Sequence, residues 1–312
     1  MATATSNAGT GTGSSALPMP EPTVPRRPLS SFKLLSFDIY GTLIDWERGI
    51  LDRLEPLVAR IPADAPAHIA QYRKGNETET DSHSERRLKL ASKFNEVEAA
   101  LQTERPGTRY SEILEAAYLR LARELGIVAV DLDADEGSKV KNDQIKQEAR
   151  SFGASIGSWP AFPDTVAAMR RLRKHYQFLV PVSNVDRASF AATRAGPLNG
   201  VDFFTVYTAE DIGSYKPDLR NFAYLISHAE QDAGVAKHEI LQVAQSLFHD
   251  HAPAKKVGLS SVWINRSNAG MGSGGGVREL HQTGQVGYGW RFDTLADFAD
   301  EVERELAEEA KK

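Results

Sequence analysis

The 312-residue chain contains no cysteine. That excludes disulfides, thiolate nucleophiles and Cys-ligated zinc or iron–sulfur centres, so any covalent chemistry falls to another nucleophile. The chain also lacks an apolar run of 18 or more residues, and its first thirty positions carry no apolar signal-peptide core. Membrane insertion and secretion are therefore not expected, and a cytoplasmic protein is. An excess of positive charge is missing as well. Lys and Arg number 37 against 42 Asp and Glu, a formal net charge of −5, so the electrostatic footprint that nucleic acid requires is absent. What is present is ordinary globular material: hydrophobic residues make up 41%, enough to bury a core. The length suggests two units.

Residues 1–31 are rich in Ala, Thr, Ser, Gly and Pro and are expected to form a disordered tail, because they offer little apolar surface to bury. The pattern changes at Lys33. Lys33 to Asp38 is a short apolar run ending in a carboxylate, as in a buried parallel strand that meets a loop. Tyr176 to Ser183, Val201 to Thr208, Glu239 to Ala244 and Ser261 to Asn265 repeat that style. Helical patterns separate them, at Pro163 to Lys174, after Asp186 and at Pro217 to Gln231. The alternation predicts an α/β fold with a doubly wound parallel sheet.

Residues 47–159 separate the first two strands and are far more than a crossover needs. Their helical periodicity covers Glu47 to Ile61, bent or restarted at Pro56, then Ser84 to Gln102 and Ser111 to Leu125. An inserted helical cap is expected there, on a core formed by 32–46 and 160–312. The stretch Gly270 to Gly276 lacks the Lys-Ser/Thr of a phosphate-binding loop and reads as a linker. A last helix is expected over Thr294 to Glu309.

Asp38 ends its strand at the carboxyl edge of the sheet, where open α/β folds bind ligands. By itself it could equally cap the following loop. The other strand ends add Ser183-Asn184, then Lys216-Pro217 at a helix start, then Gln245-Ser246 with Asp250 beyond. A nucleophile, a cation, hydroxyl and amide donors and a second carboxylate would converge in one crevice. His249 and His251 flank Asp250, but neighbours at that spacing on a helix point apart. They are read as surface or packing residues, not as metal ligands.

Four segments in this order, Asp38-Ile39-Tyr40-Gly41-Thr42-Leu43, Ser183-Asn184, Lys216-Pro217 and Val243-Ala244-Gln245-Ser246 to Asp250, resemble the motifs of the haloacid dehalogenase superfamily. The resemblance implies a Rossmann-like core with a helical cap. Most members look like phosphotransferases, with an Asp two residues after the nucleophile and a motif-four acid that helps hold Mg²⁺. Here those positions are Tyr40 and Gln245. Loss of the acid removes roughly 10² to 10⁴ in protonating an alkoxide, and a neutral amide is a poor ligand for a hard dication. Halide leaves without a proton, so a dehalogenase needs neither group.

The Tyr40 form of motif one resembles the 2-haloacid dehalogenases of type II. The activity this implies is hydrolysis of short 2-haloalkanoic acids through an ester on Asp38, with no cofactor and no metal. Lys216 would hold Asp38 ionised and Thr42 would hydrogen-bond it. Ser183 would bind the substrate carboxylate, and Asp250 with Ser246 would direct water, while Tyr40 and Gln245 would line the site. Asn184 and a cap arginine would receive halide; Arg73 is the expected one, with Arg86 and Arg87 as competitors. Trp46 would line the entrance or pack in the cap. A homodimer is compatible with the resemblance. A Mg²⁺-dependent phosphatase and an idle binding or regulatory relative are the alternatives. Three departures stand out: Phe222 replaces a Tyr, Gln245-Ser246 replaces a Ser and an Asn, and motif four is one residue longer.

Overall fold

A computed structural model describes residues 18–73, 85–105, 108–128, 136–266 and 276–312. Its strands are β1 (Leu34–Phe37), β2 (Phe178–Ser183), β3 (Tyr207–Thr208), β4 (Ile240–Ala244), β5 (Ser260–Ile264) and β6 (Trp290–Phe292). Among the described residues they form one sheet in the order β3-β2-β1-β4-β5-β6, every pair parallel. The strand order reverses between β1 and β4, which places a crevice at their carboxyl ends.

Burial on both faces explains the unbroken apolar runs. On one face Leu35, Phe37, Leu241 and Val243 join the main core, together with α6 (Thr165–Leu172) and α12 (Leu295–Glu309). On the other, Leu34, Val180, Val182 and Ile240 pack with Phe222 and Leu225 of α9 (Arg220–Ala233). Ser36 and Gln242 are in-register partners. By the two-residue alternation of a strand they share the face of Leu34 and Ile240. The shorter core helices are α7 (Arg187–Ala195), α8 (Ala209–Ile212), α10 (Ala252–Val257) and α11 (Val277–Gln282).

Between β1 and α6 come α1 (Trp46–Val58), α2 (Ala67–Ala70), α3 (Glu85–Glu104), α4 (Tyr110–Glu124) and α5 (Glu136–Gly153). α5 is not among the helices expected from the sequence; its buried stripe of Ile145, Ala149 and Phe152 is set among charged residues. Pro56 does not restart α1: it lies inside the helix, within three residues of its end at Val58. β3 is two residues long, not the eight expected, because only Tyr207 and Thr208 reach partners on β2.

The expected tail does not extend to residue 31. Leu29 is fully buried, Thr23 Oγ1 donates to Gly287 O at 2.8 Å, and the Arg26 guanidinium lies 5.0 Å from the Trp290 ring centroid. Residues 18–31 thus contain three anchors, an aliphatic side chain, a hydroxyl on a remote carbonyl and a cation over an aromatic face, that composition alone conceals. Residues 1–17 and most of the glycine-rich stretch lie outside the described residues.

Gly49 sets how closely α1 approaches the chain's return to the sheet. A Cβ there would lie 2.4 Å from Trp159 Cγ, and Trp159 is 1% exposed. Alanine usually stabilises a helix by about 0.5–1 kcal/mol over glycine, but overpacking costs about 1–3 kcal/mol, so the clash decides the sign. Gly49→Ala is expected to lower the urea midpoint; an equal or higher midpoint would show that Trp159 yields without cost.

Candidate active site

Asp38 follows β1 directly, and its backbone N–H donates to Val243 O of β4 at 3.2 Å. The carboxylate therefore stands at the point where the strand order reverses. Both of its oxygens are engaged: Lys216 Nζ donates to Oδ1 at 2.8 Å and Thr42 Oγ1 to Oδ2 at 2.8 Å. The same ammonium donates to Asp250 Oδ1 at 2.8 Å. Lys216 is 3% exposed and Asp250 0%, so a single buried cation bridges two carboxylates.

Lys216 is held by its backbone. Asn184 Oδ1 accepts from Lys216 N at 2.6 Å, and Asn184 Nδ2 donates to Lys216 O at 3.0 Å. The Asn184 amide thus aims the lysine. Thr42 is fixed in turn by the Gln245 backbone N–H, which donates to its Oγ1 at 2.9 Å. Gly41, at φ 99°, keeps this loop narrow: a Cβ there would lie 3.2 Å from both Gln245 Oε1 and Trp46 Nε1. Ser183 is buried at the end of β2.

After Ser246 the chain makes a single π turn, Leu247–His251. Ser246 O accepts from Asp250 N at 3.2 Å and from His251 N at 3.3 Å, and the widened ring leaves Asp250 facing Lys216. Ser246 caps the turn through its hydroxyl, which accepts from His249 N. The histidines diverge as expected. His251 is buried with Nε2 on Ala244 O at 2.9 Å and Nδ1 on Ser261 Oγ at 3.0 Å; the carbonyl acceptor assigns the ring proton to Nε2. His249 is exposed, with Nδ1 3.2 Å from Ser246 Oγ.

Burial raises the Asp250 carboxyl to about 7, against the opposing pull of Lys216. Burial alone would lower the Lys216 ammonium, but Asp250 and Asp38 outweigh it and hold the group above the ordinary lysine value. Burial presses the His251 imidazole down to about 4, so it is neutral at pH 7. Burial raises the phenol of Tyr40. Its hydroxyl lies 2.8 Å from Thr193 Oγ1, and its ring meets Trp159 edge-on at 5.8 Å. It supplies no acid two residues after Asp38.

Arg73 does not join the cluster. It is exposed beyond α2, where Nη1 lies 3.4 Å from Pro62 O; the preceding Tyr72 packs on the core, and neighbouring residues face opposite ways there. Arg86 and Arg87 pair with Glu55 and Asp52 of α1. Asp250 is fully buried. A cavity of about 670 Å³ adjoins Asn184 and is also lined by Tyr110, Asp186, Ala192 and Tyr215.

Three contributors were not foreseen. Gln242 Nε2 donates to Asp250 Oδ1 at 3.1 Å from inside β4; its only sequence signal is an amide in an apolar run. Arg266 donates from Nη2 to Thr42 O at 2.9 Å and from Nη1 to Asp164 Oδ1 at 2.7 Å. Asp164 Oδ2 accepts the first backbone N–H groups of α12, from Leu295 and Ala296. In the insert, burial raises the Glu98 carboxyl to about 7, opposed by a hydrogen bond with Tyr110.

A family model for haloacid dehalogenase-like hydrolases matches residues 32–243. No curated protein matches the chain. Among solved structures, the L-2-haloacid dehalogenase from Xanthobacter autotrophicus is 17% identical with a TM-score of 0.54, over 88% of this chain and 99% of that one. A defluorinating L-2-haloacid dehalogenase is 17% identical with a TM-score of 0.58, over 90% and 100%. A magnesium-bound HAD-hydrolase from Bacillus subtilis is 14% identical with a TM-score of 0.55, over 87% and 99%. At these identities the likeness speaks for the fold alone. No helix among the described residues is long and apolar enough to cross a membrane.

Arg266 ties the motif-one loop to the last helix while 7% exposed. Removing one partner of such a buried pair costs about 3–5 kcal/mol. Arg266→Met is expected to lose that much in urea unfolding. Arg266→Lys should recover little, since one ammonium does not reproduce the guanidinium fork; full recovery would refute that account.

Proposed function

The chain belongs to the haloacid dehalogenase-like hydrolase family, and on that premise we propose that it is a hydrolytic dehalogenase of short 2-haloalkanoic acids. The supporting observation is Tyr40 with its hydroxyl on Thr193, where a phosphatase of this family would need an acid. Alkoxide departs slowly without a proton, whereas halide is a weak base and departs bare.

In the first step an Asp38 oxygen attacks C2 of the substrate. The carbon–halogen bond breaks with its electron pair on the halide, leaving an Asp38 ester. Lys216 and Thr42 orient the carboxylate; Ser183 binds the substrate's own carboxylate, and Asn184 has one remaining amide hydrogen for the halide. In the second step water attacks the Asp38 carbonyl carbon and yields one proton to Asp250. The acyl carbon–oxygen bond breaks, and Asp250 returns that proton to the departing 2-hydroxy acid oxygen. The second water proton is released as Asp38 ionises again beside Lys216. Burial raises the Asp250 carboxyl above the ordinary carboxylate range, which suits a group that must both take up and return a proton.

The side chains do not fit a divalent cation. Both Asp38 oxygens are engaged by Lys216 and Thr42, Asp250 faces the same ammonium, and Gln245 offers a neutral amide where a hard cation favours carboxylate.

With L-2-chloropropionate or bromoacetate and excess chelator, the protein is expected to release halide, and Asp38→Asn none. No halide above that control would reject the reading; phosphate release requiring Mg²⁺ would replace it with a phosphatase. Gln245, beside the motif-one loop, can donate and accept in the second step. Gln245→Ala is expected to slow ester hydrolysis about 10²-fold, so that mass spectrometry finds the acylated Asp38 peptide. Unchanged turnover would remove Gln245 from the mechanism.

A further inference from the structure

Gln242 is an amide inside an otherwise apolar strand and is 0% exposed. Such a group is costly to bury unless it is used. It is half used. Nε2 donates to Asp250 Oδ1 at 3.1 Å, the same oxygen that Lys216 reaches, while Gln242 Oε1 makes no hydrogen bond. Asp250 Oδ2 and Ser36 Oγ are likewise buried without a partner, and Ser36 is the in-register neighbour of Gln242 on β1. Phe222, also fully buried on this face, brings no hydroxyl.

We infer that Gln242 is a positioning residue for Asp250: with Lys216 it ties Oδ1 and leaves Oδ2 as the oxygen that takes up and returns a proton. The catalytic meaning rests on the proposed dehalogenase reaction; the effect on Asp250 does not. Oδ1 accepts from two donors and is a poor proton acceptor, so the proton goes to Oδ2. Gln242 also favours the ionised form by donating to it. The charged groups acting on Asp250 are Lys216 and Asp38; of its flanking residues, His251 is buried and neutral at pH 7, and His249 is exposed with Nδ1 on Ser246.

The first readout needs no substrate. Carboxyl-detected NMR, assigned with Asp250→Asn, follows the Asp250 titration in the full chain. Gln242→Met keeps length and bulk but removes the donor; it is expected to raise the midpoint by about 1 to 2 pH units, the worth of one hydrogen bond to a charged group. Gln242→His restores an N–H at similar reach and should return the midpoint toward that of the native protein. The second readout is a single turnover on bromoacetate. Gln242→Met should release its first equivalent of halide within about 2-fold of the native rate, then hydrolyse the ester at least about 10-fold more slowly near pH 7. An unmoved midpoint in Gln242→Met, or ester hydrolysis at the native rate, overturns the inference. A native protein that gives no halide burst overturns the dehalogenase reading instead, and the NMR titration still decides the role of Gln242.

Discussion

One ammonium shared between two buried carboxylates governs this crevice. Lys216 reaches Asp38 and Asp250 at 2.8 Å each, with almost no solvent to screen the charges. Desolvating three charges is expensive, and the attraction offsets that cost only if the geometry is held and the remaining hydrogen bonds are made. The surrounding side chains meet that demand. Asn184 grips the Lys216 backbone from both sides, Thr42 takes the second Asp38 oxygen, and Gln242 adds a donor to Asp250. Burial raises the Asp250 carboxyl, Lys216 opposes that rise and the negative charge of Asp38 adds to it. The site can therefore store a proton because Asp250 is desolvated beside a second carboxylate.

The fold was legible where a residue's environment follows from its immediate neighbours. The runs ending at Asp38, Ser183 and Ala244 are buried on both faces, so strand and strand end could be located together. Elsewhere the deciding contacts are remote in sequence. Leu29 docks beside α12 and Arg26 lies over Trp290, which turned part of an apparent tail into ordered chain. β6 is three residues preceded by Gly287 and Gly289, too short for alternation to register. The charged helix α5 is recognisable only once its partner α4 is in place.

The site divides along the same line. Asp38, Thr42, Lys216 and Asp250 could be aligned because each lies at a strand end or a helix start, and these ends converge by topology. The Asn184 amide, read as an anion receptor, is chiefly a clamp on Lys216, a use visible only when two loops meet. Arg73 could not be placed from spacing, since a side chain's direction after the short α2 depends on which neighbour packs inward. Arg266 lies just past β5 and works across the sheet on a backbone carbonyl of the motif-one loop.

The departures in motif four follow one physical requirement. An added residue on a regular helix rotates every later side chain by about 100°, which would swing Asp250 away from Lys216. The π turn of Leu247–His251 is a wider ring that can take up such a residue; in it Asp250 meets Lys216 and His251 meets a carbonyl and a hydroxyl. Burial then suppresses the charge on His251. A second cation beside Lys216 would lower the proton affinity of Asp250 and weaken it as a base. Keeping His251 neutral leaves Lys216 as the positive charge that acts on Asp250 among the described residues. In the proposed reaction the halide step then runs on charge and alignment alone, and the ester step draws on the single proton this neighbourhood can hold.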